Sequence, residues 1–485
     1  MEYAIVISVF LLALLLIGMY VSRKIKNEKD WMVAGQSLGV IPLTGTYFAT
    51  IISSVSVVGY LGYYYNMGWG GWWNWAGTAL TGVISAFWFA RKIRSFGKVT
   101  LSDYIEERYG RIHGIIAAIV IFFAMIFFTS AQLAGSAAII TTTLGIDRTL
   151  AIIALAAIFI LFTVMGGMES VAWTDTFCTV IIFVGVYALL PKAVGAAGGI
   201  AEIHQTLAQT RPAALDPFAG GALPLGVILS WIATWGIGNF GAPQFITRFN
   251  SAKDVETAEK SQGYCGILLL ALYLPIMLIA LSAIILFPGI PKPDSVTPFI
   301  VKELMNPWFG AVVMAGLLAA SISTADSVLL LGSTTFVNDI YTKVLKKDAS
   351  SEQILKISRL ATVAVGVIAV VFTIMTNSTI MWIQANAVGF MGSMLAMIVL
   401  IGFAWKRANS QGAMAGMIVG LATAVIWYIL GKPFGWFPIL PSIFTSTLAL
   451  VVVSLVTPPP PIEVQEKFFK KKDVGVKVLA NNQNV

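Results

Sequence analysis

Charge is what this chain lacks. Of its 485 residues only 11% are Asp, Glu, Lys or Arg, against 58% hydrophobic. A soluble globular chain carries about 25% charged residues, so a water-facing globule is excluded. Cysteine is nearly absent too. Cys178 and Cys265 both lie in apolar runs and read as small buried hydrophobes, which excludes a disulfide framework and a cysteine-bound metal. The two histidines, His113 and His204, stand alone at a helix start and in a loop. No nucleophile–base pair or metal cluster is visible, so the chain does not read as an enzyme. The short alternating segments of a transmembrane β-barrel are missing. The first apolar segment has no basic leader and no clear cleavage site, which reads as a retained helix rather than a signal peptide.

What is present is oil in long runs. Thirteen spans can be marked, at roughly 3–21, 38–65, 69–91, 113–143, 149–166, 171–195, 223–247, 262–288, 308–338, 355–376, 379–404, 411–431 and 438–456. They predict an all-α polytopic membrane protein, with one transmembrane domain over 1–456 and a mobile tail over 457–485. Alternate connections differ sharply in charge. One set, with the tail and its edge residues, holds 25 of the 31 Lys and Arg; the other holds Arg148, Lys192, Arg211, Lys292, Lys302 and Lys432. That bias predicts an outside N-terminus and a cytoplasmic C-terminus in the plasma membrane, and an odd number of spans agrees. The net charge of +8 then belongs to basic loops and does not signal nucleic-acid binding. The partners expected are the lipid bilayer and a small solute; nothing in the chain fixes an oligomeric state.

Two spans are poor continuous helices. The second carries Thr50-Ile51-Ile52-Ser53-Ser54-Val55-Ser56 followed by Gly59 and Gly62; the seventh carries Trp235-Gly236-Ile237-Gly238-Asn239-Phe240-Gly241-Ala242-Pro243. Glycine loosens a helix, and proline removes a backbone donor and clashes with the preceding turn. Broken helices five spans apart point to a transporter of inverted repeats with its site at mid-membrane. Glycine serving only close helix packing is the rival reading.

The ninth span contains the polar run Ser321-Ile322-Ser323-Thr324-Ala325-Asp326-Ser327. Hydroxyls and a carboxylate at that depth need a partner, a cavity or an ion. Residues three and four apart share a helix face, so Ala320, Ser323, Thr324 and Ser327 line up. That face offers two hydroxyls and the carbonyl of Ala320. Ala49 and Ile52 lie where the second span should unwind and free its carbonyls. Together these five residues offer an all-oxygen set suited to sodium, a hard cation. Asp326 has a second reading, as a solvated group near the cytoplasmic end. Asp175, in Trp173-Thr174-Asp175, reads equally as a charge for a second cation beside Ser323 and Ser327 or as an interfacial carboxylate with Trp173 in the aromatic belt. Ser321 alone reads as bonded back to its own helix.

These pieces together resemble the sodium:solute symporter family. The resemblance runs from about Gly39 to Trp405 and rests on Ala49–Gly62, the Gly166–Asp175 block, Gly241-Ala242-Pro243-Gln244 with Arg248-Phe249, and Ala320–Ser327. It implies a leucine-transporter-like fold, with inverted five-helix repeats over about 38–195 and 223–404 and added helices at both ends. It implies that Ala49, Ile52, Ala320, Ser323 and Thr324 hold sodium as the coupling ion. It implies a second sodium at Asp175, Ser323, Asp326 and Ser327.

The candidates for the solute site, between spans two, four, seven and eleven, are Ser53, Ser56, Gln132, Trp235, Asn239 and Gln244. Gln384 and Asn386 are intramembrane amides that either pair across helices or meet solute. Ser56, Trp75 and Gln244 replace the glutamine, glutamate and tyrosine of sugar carriers. The fourth span lacks the arginine of sialic-acid carriers. The Trp235–Pro243 stretch is similar to the proline-carrier pattern, with Asn239 and Gln244 in place of its tyrosine and histidine. The expected activity is sodium-coupled symport of a small amino acid such as proline, or of a small carboxylate, by alternating access. The alternatives are a transporter-like sensor acting through a separate partner, and proton coupling.

Overall fold

The computed structural model describes residues 1–23, 27–376 and 380–469. Residues 470–485 of the expected tail and the first residue of the eleventh expected span lie outside them. Among the described residues the architecture is helical throughout, with a lone bridge pairing Leu38 and Ala252.

Among the described residues nine helices are individually long and apolar enough to cross a membrane, and two bent pairs pass the same test when each is taken as one span. Two of these eleven units are broken in mid-length by a glycine with non-helical backbone. The helix Arg148–Ala196 has 49 residues, roughly 74 Å at 1.5 Å per residue, against a hydrocarbon core of about 30 Å. It reverses at Gly167, whose φ of 51° and ψ of −165° leave the helical region. A Cβ there would also lie 2.7 Å from the Trp31 ring, so glycine is required twice over. The unit 55–96 turns likewise at Gly68 (φ 58°), where a Cβ would strike the Ala214 backbone. Splitting both gives thirteen crossings.

In chain order they are α1 (Glu2–Ser22), α2 (Val40–Ile51, then 55–67), α3 (73–96), α4 (Arg111–Leu144), α5 (148–166), α6 (168–196) and α7 (Leu225–Gly241, then Pro243–Ser251). The remainder are α8 (Val255–Leu286), α9 (Pro307–Leu345), α10 (Ser351–Met375), α11 (Ile380–Ala404), α12 (Ser410–Ile429) and α13 (Ile439–Val456).

The chain packs around α9, whose middle (residues 313–335) is buried throughout, whereas α1, α12 and α13 keep most of their apolar surface outward, as helices facing lipid must. The Lys/Arg-rich connections meet on one face. Arg94 there donates to the carbonyls of Ala252 and Lys253, and Lys343 bonds Asp103, Glu106 and Asp339. The sparsely charged connections meet on the opposite face, where Trp69 donates to His204 and Arg211 donates to the carbonyls of Tyr65 and Asn66.

Part of the expected tail is described. Ile462–Phe469 forms a short helix, and Phe468 is buried against Phe96 and Phe403 with the Arg108 guanidinium over its ring. Two aromatic residues next to a basic face supply enough apolar and cation–π contact to dock the segment.

Candidate functional site

Both broken spans break where their carbonyls can be used. In α2 the helix stops at Ile51, Ile52 is extended (φ −84°, ψ 106°), and helix resumes at Val55. The break therefore sits at residues 52–54, and Gly59 and Gly62 lie inside helix beyond it. Side chains satisfy the freed amides: Ser53 Oγ accepts from the Val55 N–H, and Gln132 Oε1 accepts from the Ser54 N–H. In α7 the break is at Ala242, extended at φ −95° and ψ 113°, and Pro243 opens the next half-helix where its missing N–H costs nothing. Thr81 of α3 donates to the carbonyls of Trp235 and Gly236. Non-helical backbone at membrane depth is tolerated when it is buried and satisfied in this way.

The five oxygens expected to converge do so. Thr324 Oγ1 lies 3.0 Å from the Ala49 carbonyl, 3.4 Å from Ile52 and 3.1 Å from Ala320. Ser323 Oγ lies 3.5 Å from the Ala49 carbonyl and 3.3 Å from Ala320. All five residues are buried. Hydroxyls rotate, so the same atoms that donate to these carbonyls can turn lone pairs inward. The set is neutral, oxygen-only and joins α2 to α9, which fits a monovalent hard cation. Ser321, as expected, bonds back to the Leu317 carbonyl.

The four residues of the second set are only partly assembled. Asp175 and Ser327 meet, with Ser327 donating to Asp175 Oδ2 at 3.5 Å. Asp326 instead accepts from Thr163 of α5 at 3.3 Å, and Ser323 faces the first set. Both aspartates are fully buried, so neither the interfacial reading of Asp175 nor the solvated reading of Asp326 holds. Asp175 Oδ2 accepts from Thr46 at 2.6 Å, while its Oδ1 is buried with no hydrogen-bond partner among the described residues. Trp173, two residues earlier and on the opposite side of the helix, is exposed.

Arg248 is the residue that sequence reasoning misplaced. It enters the charge count as a loop residue, yet it is fully buried on the second half of α7, with Nη2 3.8 Å from Asp175 Oδ2. A signal existed: Arg248 follows Gln244 at helical spacing, inside the half-helix that Pro243 opens.

Four of the six solute candidates line one cavity. Ser56, Trp235, Asn239 and Gln244 surround a narrow cavity of about 20 Å³ with Thr50, Tyr60, Phe128, Tyr273 and Gln384, between the two breaks and against α8 and α11. No charged side chain lines it. The Trp235 indole N–H and Gln244 Oε1 are buried without hydrogen-bond partners among the described residues. Ser56 shares a hydrogen bond with Tyr273 at 3.2 Å, a residue no motif singled out. The other two, Ser53 and Gln132, stand behind the wall in an amide chain, with Gln132 donating to Gln384 Oε1 at 3.0 Å.

A membrane-embedded helical bundle with two broken spans, an oxygen cage and a neighbouring neutral cavity is the anatomy of a secondary transporter. The sodium:solute symporter family model matches residues 31–420, and the chain belongs to that family. It is a transporter and not an enzyme, and sodium is its coupling ion. Among curated proteins it is 27% identical to the osmoregulated proline transporter OpuE of Bacillus subtilis, over 97% of this chain and 99% of that one. It is also 27% identical to the sodium/proline symporter of Salmonella typhimurium, over 95% of this chain and 94% of that one. Among solved structures, a substrate-bound, outward-open Na+-coupled sialic acid symporter superimposes with a TM-score of 0.81 at 21% identity, covering 95% and 98% of the two chains. The expected leucine-transporter-like architecture is thus the fold of this chain.

Proposed function

We propose that this chain imports a small zwitterionic amino acid, proline foremost, with sodium, across the plasma membrane and with its basic face in the cytoplasm. The observation that carries this is the join between α2 and α9. Thr324 and Ser323 reach the Ala49 and Ile52 carbonyls at the break, directly beside the neutral cavity that begins at Thr50 and Ile51. A wall without charged side chains favours a solute of no net charge. Phe128 and Phe245 offer apolar surface for a ring, and the unpaired Trp235 N–H offers a donor to a carboxylate. The named relatives carry proline, which agrees with that wall.

Sodium in the cage ties the first half of α2 to α9 and so holds the wall residues Thr50 and Ile51 in place while the cavity widens to admit solute. Once the cavity opens toward the basic face, low cytoplasmic sodium empties the cage and the join loosens. Coupling requires that the ion favour one conformation over the other. The Asp175 Oδ1 position is proposed as the place of a second ion, with Ser327 beside it.

Purified protein in liposomes tests the reading. An inward sodium gradient is expected to drive accumulation of labelled proline, and replacing sodium by choline at fixed pH is expected to abolish it. Accumulation that survives in choline and follows a pH gradient would refute sodium coupling. Sodium-driven uptake displaced by a small carboxylate and untouched by proline would refute the solute.

A further inference from the structure

The first half of α2 and the second half of α7 form one unit. Leu38 bridges Ala252, and the Tyr47 ring packs 5.4 Å from Phe245 and 5.3 Å from Phe249. This unit is the floor between the cavity and the basic face. It rests on α6 and α9 through small residues and hydroxyls: Thr179 donates to the Gly45 carbonyl, and a Cβ on Gly45 would collide with Thr176. Such a seam is close-packed.

Arg248 spans the seam. On its own side, Nε donates to the Thr46 carbonyl at 3.3 Å and Nη1 to the Gln244 carbonyl at 3.0 Å. Across the seam, Nη2 donates to Ser327 Oγ of α9 and faces Asp175 Oδ2 of α6 at 3.8 Å. The Thr46 hydroxyl donates to the same carboxylate oxygen. A planar guanidinium presents five donors in a fixed fork, so one side chain can grip both sides at once.

We propose that Arg248 is a positioning residue for coupling: it latches the α2–α7 floor to α6 and α9, holds the Ala49 and Ile52 carbonyls against Ser323 and Thr324, and must let go of Asp175 and Ser327 for the cavity to open toward the basic face. Thr46, which the latch holds, lies one turn before Ala49, so loosening it moves two of the five cage oxygens. The inference rests on alternating access, as argued above.

The test compares Arg248→Gln with wild type by hydrogen exchange in sodium and by solute accumulation in liposomes. Amide exchange in 40–51 and 243–251 is expected to rise by about tenfold, the scale of a local opening made easier, with α4 and α10 unchanged. The sodium concentration for half-maximal uptake is expected to rise, and the accumulation ratio to fall while solute exchange persists. Unchanged exchange in the two segments, or a uniform rise over the whole chain, overturns the latch. Removing one member of a buried ion pair can prevent folding; the double variant Asp175→Asn/Arg248→Gln removes both charges and is expected to show the same confined exchange. Wild-type protein without sodium-driven uptake would defeat the proposed function instead, so the two failures are separable.

Discussion

Replacing Thr324 by alanine removes one oxygen of five from the cage and leaves the fold's packing almost intact, since only a hydroxyl and a methyl are lost. Thr324 Oγ1 touches three of the other four members, at 3.0, 3.1 and 3.4 Å, and is therefore the most central atom of the set. A polar contact to a charged group is worth roughly 1.5–3 kcal/mol, and each 1.4 kcal/mol is about tenfold in affinity. The sodium concentration for half-maximal uptake should therefore rise by about 10- to 100-fold. Thr324→Ser keeps the oxygen and should stay within a few-fold of wild type. The assay is initial proline uptake in liposomes over a sodium titration, at saturating solute, with purified protein quantified in each preparation. Ser323→Ala should shift the titration in the same direction and by less, because its oxygen lies no closer than 3.3 Å to the carbonyls. Unchanged sodium dependence in both alanine variants would refute the cage.

Three further outcomes follow from other parts of the structure. Trp235→Phe deletes the unpaired indole N–H, and the KM for solute should rise by about tenfold or more, as for a lost bond to a carboxylate; an equal shift in sodium half-saturation at saturating solute would contradict that role. Gly167→Ala forces a side chain into a glycine-only backbone region worth about 1–3 kcal/mol, and against Trp31; a thermal unfolding temperature matching wild type would disprove the hairpin. Asp294, outside the spans, accepts from the Ile380 N–H, and burial holds its carboxyl above the ordinary range despite that bond. The charged form is the costly one, so stability is lost as pH rises through the raised value. Asp294→Asn should thus raise the unfolding temperature at pH 7 and leave it unchanged at pH 4; equal shifts at both pH values would refute the cause.

The spans, their breaks and the division of loops between two faces were legible because each rests on a local property: the hydrophobicity of some twenty residues, a proline, a pair of hydroxyls, a charge count. The cage was legible too, since helical spacing places Ser323, Thr324 and Ala320 together and the Ser-rich break announces free carbonyls. The second set was legible in composition alone. Asp175, Asp326 and Ser327 are all polar and buried, but their partners are Thr46, Thr163 and Arg248, residues that no motif tied to them. Arg248 was hidden because a basic residue at the end of an apolar run looks the same whether it reaches water or folds inward. The docked helix 462–469 was hidden because its stability comes from Phe96, Arg108 and Phe403 and not from its own sequence.

The amino-acid sequence alone therefore determined a membrane-spanning bundle, its two interrupted helices and the family to which it belongs, because a bilayer admits helical spans only as long apolar runs and makes any break in them show as glycine, proline and hydroxyls. Only the tertiary structure decided which oxygen meets which. Thr324 and Ala49 are 275 residues apart, and their 3.0 Å contact exists only because α9 is packed against the break in α2. The same packing set Arg248 beside Asp175, a pairing of two charges that no local pattern encodes and that only the dry interior makes obligatory.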